Sequence, residues 1–403
     1  MRVLIMDMTH GGDILAEEFL KNGDSVLCAD VYGIAPQSLK EELEKKGASV
    51  CGPVPKDRYD LKVAPAHCPD ALANGSEWDR SMTFHEAVGK FIADRRFRIE
   101  VTGVKGKTST CYLLAHVLDA AGLDVFLHTS RGQGMYRNGS HTIDRRMSIA
   151  PTSMLRFPAG DFTAIAECSL GGSGKADIAA ITNLAEDYGI AKNTRRASDS
   201  KASIFSDGVN IVPNGEIGIW SKYGHALRGC GGRITVTRKA SLGGSVGISA
   251  EYGGRRENAD LDASYLSIQY LESMELVLEI CEEMRIPAET VMRALSTFKG
   301  VPGRGEIVFA DGRTTIRERN PGISHLSVAR TLECVREMGA LDGAIAVLDP
   351  VNRKVCDKMD ADAIRSAASG FGIDLIITDG KGGRPDIPAD RKTVIEFIKE
   401  GFQ

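Results

Sequence analysis

Gly103, Gly106, Lys107 and Thr108 stand together in the stretch EVTGVKGKTST, residues 100–110. A lysine and a hydroxyl directly after a glycine turn suit a polyphosphate. The lysine reaches the terminal phosphates, and the hydroxyl holds Mg2+. The usual phosphate loop reads G-x-x-x-x-G-K-[ST]; here Val101 occupies the place of its first glycine, and the glycine comes at Gly103. By spacing alone the motif is weak, because a glycine turn with a solvated lysine reads the same way. Three more residues have chemistry to offer: Glu167 near the end of FTAIAECSL, Lys201 in DSKASIF and Arg304 in PGRGE. A carboxylate at the end of an apolar strand lies on the ligand edge of a doubly wound sheet and could hold a second Mg2+. Equally, Glu167 reads as a surface carboxylate. Lys201, taken by itself, is an ordinary solvated lysine. Arg304 offers planar donors to a phosphate across a cleft, or an interdomain salt bridge.

Positioning these residues requires an α/β fold. FRIEV predicts a strand, the glycine loop follows, and CYLLAHVLDAAG predicts an amphipathic helix ending at Gly122. In that order, backbone N–H groups and the helix dipole converge on an anion. FTAIAECSL and DIAAITNL are near-continuous apolar runs, as in a parallel sheet covered on both faces. Arg2–Asp7, the turn and helix of THGGDILAEEFLKNG, and SVLCADVYG form a Rossmann-like β-turn-α-β unit that lacks G-x-G-x-x-G. Residues 52–82 are richer in proline and polar residues, and a short helix near FHEAVGKFIADRR follows, which suggests a boundary. ASYLSIQYLESMELVLEICEEM and AETVMRALSTF read as helices; VPGRGEIV breaks the pattern, and GAIAVLD and IDLIITDG open a last α/β unit. The expected domains are 1–94, a Rossmann-like substrate domain; 95–301, a central ATP-binding domain with a P-loop ATPase-like parallel sheet; and 302–403, a small Rossmann-like α/β domain.

The composition leaves an ordinary globular enzyme. Two or three domains suit 403 residues, and the net charge of −4 gives no footprint for nucleic acid or a lipid surface. No apolar run approaches the ~18–20 residues that span a bilayer. MRVLIMDMTHGG lacks the order of a signal peptide, so a soluble cytoplasmic protein is expected. Nine cysteines without a C-x-x-C pair read as buried reduced thiols.

VTGVKGKTST resembles the phosphate loop of the Mur ligase superfamily, T-G-[TS]-[NK]-G-K-[TS]-[TS]. Other family motifs follow in the same order: IAECSL, AAITNLAEDY, SKASIF and TFKGVPGRGE. The likeness covers residues 95–330 well and the flanks loosely. It implies a three-domain ligase that uses ATP and Mg2+ to activate a carboxylate as an acyl phosphate. It further implies ATP contacts from Thr102, Gly103, Val104, Lys105, Gly106, Lys107, Thr108 and Ser109, and from Asn183, Gln269, Arg304 and Asn320. Thr108, Glu167 and Lys201 become metal-side residues, with Lys201 a candidate for carbamylation; Lys107, Glu167, Lys201 and Arg304 become catalytic. The departures are specific. Tyr188 replaces the family histidine, QYLES offers Gln269 and Ser273 for H-N-x-x-N, and IRERNPG keeps only Asn320 and Pro321 of D-D-Y-A-H-[NT]-P, with arginines where the carboxylates would be. TDGKGGRP replaces the amino-acid-recognition signature D-N-P-R.

DMTHGG, HTSRGQG and RERNPGISH are most similar to a branch of the superfamily that closes a carbocycle on a nickel tetrapyrrole and adds no amino acid. Nickel would then arrive inside the substrate. Its peripheral carboxylates would suit Arg131, Arg137, Arg145, Arg146, Arg195 and Arg196. Two rivals stay open: an amino-acid-adding ligase of the peptidoglycan or folylpolyglutamate kind, and a nucleotide-gated binding protein without ligase activity. The sequence does not fix the oligomeric state.

Overall fold

The computed structural model describes residues 1–310, 312–350, 360–380 and 385–399. The described chain divides into two compact units. The first comprises Met1–Cys111, Asp124–Met135 and His141–Cys230; the second comprises Tyr112–Leu123, Tyr136–Ser140 and the described residues from Gly231 onward. Among the described residues, no helix is long and apolar enough to cross a membrane.

The first unit opens with five parallel strands: β1 (Arg2–Met6), β2 (Ser25–Ala29), β3 (Ser49–Cys51), β4 (Arg58–Ala64) and β5 (Glu77–Thr83). Their order in the sheet is β3-β2-β1-β4-β5. Successive residues of β1 bury on opposite faces. Val3 and Ile5 join Leu15, Phe19 and Val88 on one side, and Leu4 and Met6 join Tyr59 on the other. That is why β1 reads as one continuous apolar run. Helix α1 (Gly12–Lys21) starts where a Cβ at Gly12 would lie 1.9 Å from the carbonyl oxygen of Asp7, so only glycine fits. Helix α3 (Phe84–Phe91), which follows α2 (Gln37–Lys45), is opened by a capping box of Thr83 and Glu86. The polar, proline-rich segment 52–82 is therefore not a mere connection. It holds β4 and β5; the pairing of β4 with β1, and of β5 with β4, outweighs their weak local pattern.

Six more parallel strands carry the phosphate loop: β6 (Arg98–Thr102), β7 (Val125–Thr129), β8 (Thr163–Glu167), β9 (Ile178–Ile181), β10 (Val209–Pro213) and β11 (Arg228–Cys230). Within an eight-stranded sheet that Gly132–Arg137 and Ser140–His141 extend beyond β7, they run in the order β11-β10-β9-β6-β8-β7, so β6 lies between β9 and β8. The loop after β6 leads directly into helix α4 (Lys107–Ala120), four residues earlier than the apolar pattern alone suggests.

The second unit contains an antiparallel sheet that sequence reading does not anticipate: β12 (Ile234–Arg238), β13 (Val246–Tyr252) and β14 (Arg255–Leu261). Its charged and glycine-rich strands give no sustained apolar run. Helix α6 (Leu271–Glu283) and helix α7 (Ala288–Thr297) follow, and α7 packs on β14; α5 (Ala197–Lys201) belongs to the first unit. The last sheet has the order β15-β16-β19-β17-β18, from β15 (Arg304–Ala310), β16 (Arg313–Arg319), β17 (Ile345–Asp349), β18 (Asp374–Ile377) and β19 (Thr393–Ile398). Its first pair is an antiparallel hairpin and its other pairings are parallel, so it is a Rossmann-like sheet with a hairpin edge. Helices α8 (His325–Glu337) and α9 (Ala361–Gly370) complete this part.

Candidate active site

The phosphate loop is shaped by two glycines and by its neighbour β9. Gly103 has φ +139° and Gly106 φ +83°, in the region that favours glycine. A Cβ on Gly103 would lie 2.0 Å from Oγ1 of Thr182. Thr182 and Asn183, just past β9, hold the loop from the side. Oγ1 of Thr182 donates to the Lys105 carbonyl at 2.6 Å, Nδ2 of Asn183 donates to the same oxygen at 3.3 Å, and Oδ1 of Asn183 accepts from the Lys105 N–H at 3.1 Å. The Val104 N–H adds a bond to the Asn183 carbonyl at 3.0 Å. Thr102 turns its hydroxyl toward the carbonyls of Cys168 and Ser169, at 3.0 and 3.3 Å. Thr102 and Asn183 thus act here as braces of the loop.

Lys107 folds back over the loop, donating to the carbonyls of Gly103 and Val104 at 3.2 and 3.4 Å. Ser109 is partly exposed in the next turn. Thr108 donates its hydroxyl proton to the Glu167 carboxylate at 2.8 Å and lies 3.2 Å from the Ser130 hydroxyl. The Ser130 N–H reaches the same carboxylate oxygen at 3.0 Å. Glu167 is almost fully buried at the end of β8. Among the described contacts it has hydrogen-bond donors but no cationic partner. A buried carboxylate flanked by two hydroxyls is a set of hard oxygen donors, and it fits a divalent cation beside a polyphosphate. Ser130 is an addition to the expected residues. It comes just after β7, and only the strand order reveals its nearness.

Lys201 is the largest departure from its sequence-level reading. It is 1% exposed, with Nζ 2.9 Å from the Gly103 carbonyl and 3.0 Å from that of Ser169. Burial and, second, the Lys107 ammonium push its pKa down to about 7. Asp187 fixes the short helix that presents it, accepting from the N–H and the hydroxyl of Ser198, both at 2.9 Å. Tyr188, beside it, is 40% exposed. His85 is buried too; burial first, and the charge of Lys201 next, lower its pKa to about 4.

No protein-family model matches the chain. Its whole length is 29% identical to coenzyme F(430) synthetase of Methanosarcina acetivorans, covering 94% of that protein. It is 25% identical to the coenzyme F(430) synthetase of Methanocaldococcus jannaschii, over 99% of this chain and 94% of that one. Among solved structures, UDP-N-acetylmuramate-alanine ligase MurC of Thermotoga maritima matches with a TM-score of 0.54 at 14% identity, over 100% of this chain and 96% of that chain. A bifunctional folylpolyglutamate synthase/dihydrofolate synthase with Mn, AMPPNP and L-glutamate bound gives 0.56 at 16%, over 79% of this chain and 90% of that chain. The chain has the Mur-ligase fold.

In this Mur-ligase fold the remaining residues expected to contact ATP, Gln269, Arg304 and Asn320, fall in the second unit. Gln269 donates to Oγ1 of Thr331 at 3.1 Å, and Thr331 donates to the Glu318 carboxylate at 3.3 Å. Burial raises the pKa of Glu318 to about 7, against the pull of Arg304. Glu318 lies inside IRERNPG, where reading by motif sees mainly the arginines; it restores a carboxylate to that segment. Ser273 and Asn320 are both buried. Of TDGKGGRP, residues 381–384 lie outside the described residues. Of the six arginines, Arg195 meets Asp70 at 3.3 Å and Arg196 meets Asp187 at 3.4 Å, so both already have carboxylate partners within the protein. Arg145 and Arg146 are exposed, as is Arg137 in the second unit, and Arg131 is partly buried.

Proposed function

We propose that this protein is an ATP-dependent cyclo-ligase that closes a carbocyclic ring on a nickel seco-tetrapyrrole acid, giving coenzyme F(430), ADP and phosphate. The observation that carries the reading is similarity along the full chain to two coenzyme F(430) synthetases. The amino-acid-adding alternative draws on the solved neighbours, whose low identity speaks for the fold alone. The substrate is a small molecule and the compartment the cytoplasm, with no role for nucleic acid.

A carboxylate resists attack because its leaving group would be oxide. Phosphorylation by ATP makes that group phosphate. The loop N–H groups from Gly106 onward, at the start of α4, would provide a preorganised cradle for the transferring phosphoryl group, while those of Val104 and Lys105 stay with Asn183. Lys107 would exchange its contacts with loop carbonyls for phosphate oxygens. Glu167, Thr108 and Ser130 would hold Mg2+, which when bound offsets charge on the phosphates. Lys201 has the depressed basicity that carbamylation demands, because only the neutral amine reacts with CO2. Arg304, at the start of β15 in the second unit, would by the resemblance contact the phosphates. The acyl phosphate would then be attacked by a carbon of the same macrocycle, so no amino acid is needed. The testing experiment measures phosphate release with the nickel seco-tetrapyrrole acid against a panel of amino acids. Release dependent on an amino acid would promote the amide-ligase reading.

A further inference from the structure

The first sheet has a topological switch point of its own. Strand order β3-β2-β1-β4-β5 sends the connections of β1 and β4 to opposite sides, and ligands of open parallel sheets bind in the crevice at the carboxyl ends there. Asp7 directly follows β1, and His67 comes three residues after β4. His10 stands at the turn before α1. One ligand atom from each of these three lies within 4.8 Å of the other two.

The carboxylate of Asp7 is divided between two tasks. Oδ1 accepts from the N–H and the hydroxyl of Thr9, at 2.8 and 2.9 Å. Oδ2 meets Nδ1 of His10 and lies 3.9 Å from Nε2 of His67. One oxygen is thereby oriented by the protein, and the other faces two imidazoles. The side chain of Asp7 is 1% exposed, but those of His10 and His67 are 40% and 32% exposed. The rings of His10 and His67 are 4.9 Å apart and nearly perpendicular, and Tyr32 stacks on His67.

We infer that Asp7, His10 and His67 form a binding site for one divalent transition-metal ion of the Co2+, Ni2+ or Zn2+ type. Two imidazoles and one carboxylate on one side of an ion leave open positions on the other. Hydrogen bonds to the far oxygen of a ligating carboxylate, as Thr9 supplies, are the usual support of such a site. The solvent-facing side of the two rings gives an ion its entry path. The same chemistry could also be presented by nickel already held in a tetrapyrrole. A macrocycle fills four positions, however, and leaves one axial position per face, which takes a single imidazole rather than three ligands.

The test uses full-length, tag-free protein stripped with a chelator and titrated with Co2+, read by its visible absorption. The expected result is saturation at one equivalent, displacement by Zn2+ and indifference to Mg2+. His10→Ala and His67→Ala should each weaken Co2+ at least about 10–100-fold, and Thr9→Val should weaken it less. Circular dichroism verifies that each variant is folded, and Lys107→Ala should bind Co2+ like the unaltered protein even if ligase activity is never found. Absence of saturable Co2+ binding, or full binding in either histidine variant, overturns the site. So does binding of a nickel tetrapyrrole that needs His10 alone, with no binding of the free ion.

Discussion

A lysine with an ordinary sequence context turns out to be the most perturbed cation of the first unit. Lys201 prefers to be neutral because it is enclosed and faces the Lys107 ammonium. Two outcomes follow. First, a folded-state pKa lowered to about 7 from 10.5 means that the unfolded chain binds the extra proton between those values. Folding is then increasingly favoured as pH rises through that window, and the penalty is complete below it. Lys201→Met should raise the melting temperature near pH 7 and lose that gain toward pH 10.5, a trend that thermal unfolding across pH would reveal. Second, if the amine takes up CO2, Lys201→Ala should lose turnover and regain part of it with an added small carboxylate. Full activity in the unrescued variant would return Lys201 to a structural role. Lys107→Ala should reduce ATP-dependent phosphate release by at least about 100-fold, the scale for removing one preorganised donor, with its circular dichroism unchanged.

At the scale of elements, the loop is held mainly from outside its own segment. Thr182 and Asn183 fasten Lys105 and Val104 across the gap between β9 and β6. Asn183→Ala should take away the side-chain acceptor of the Lys105 N–H and the weaker of two donors to its carbonyl, which keeps Thr182 at 2.6 Å, costing about 1–3 kcal/mol in loop order. It should therefore raise the KM for ATP more than it lowers kcat. Gly103→Ala should be more severe, since its methyl would overlap the Thr182 hydroxyl at an unsuitable φ. Isothermal titration with a non-hydrolysable ATP analogue would rank the two. This also shows what could be read in advance. Strand, glycine loop and helix are contiguous in sequence, so their order announces itself, and Glu167 is marked by the end of an apolar strand. Ser130 and His67 come from loops distant in sequence from Glu167 and from the Asp7–His10 pair, and sheet order brings them together. No local pattern encodes that. Strands β12 to β14 and β4 to β5 escape notice for another reason: their sequences are too polar for periodicity to show.

For the whole molecule, the decisive expectation concerns stoichiometry. An intramolecular attack needs no second substrate, and good orientation of the two ends is worth on the order of 7–11 kcal/mol. One ATP should be consumed per ring closed, and the product should be lighter than the acid by one water. Mass spectrometry of the reacted tetrapyrrole tests this, and a gain of an amino-acid residue would contradict it. The eight-stranded sheet around the phosphate loop has a further consequence, for the order of events at the ribosome. Its central strand β6 waits for β8 and β9, and the Gly103 carbonyl meets Lys201 only 98 residues later. At about 5–20 residues per second, that is a delay on the order of 5–20 s during which the glycine loop has been made but lacks its last brace. Nascent chains stalled before Thr182 should therefore ignore ATP, while those extended well beyond Cys230 have every brace of the loop in hand. Nucleotide capture would thus report late assembly of this half of the protein.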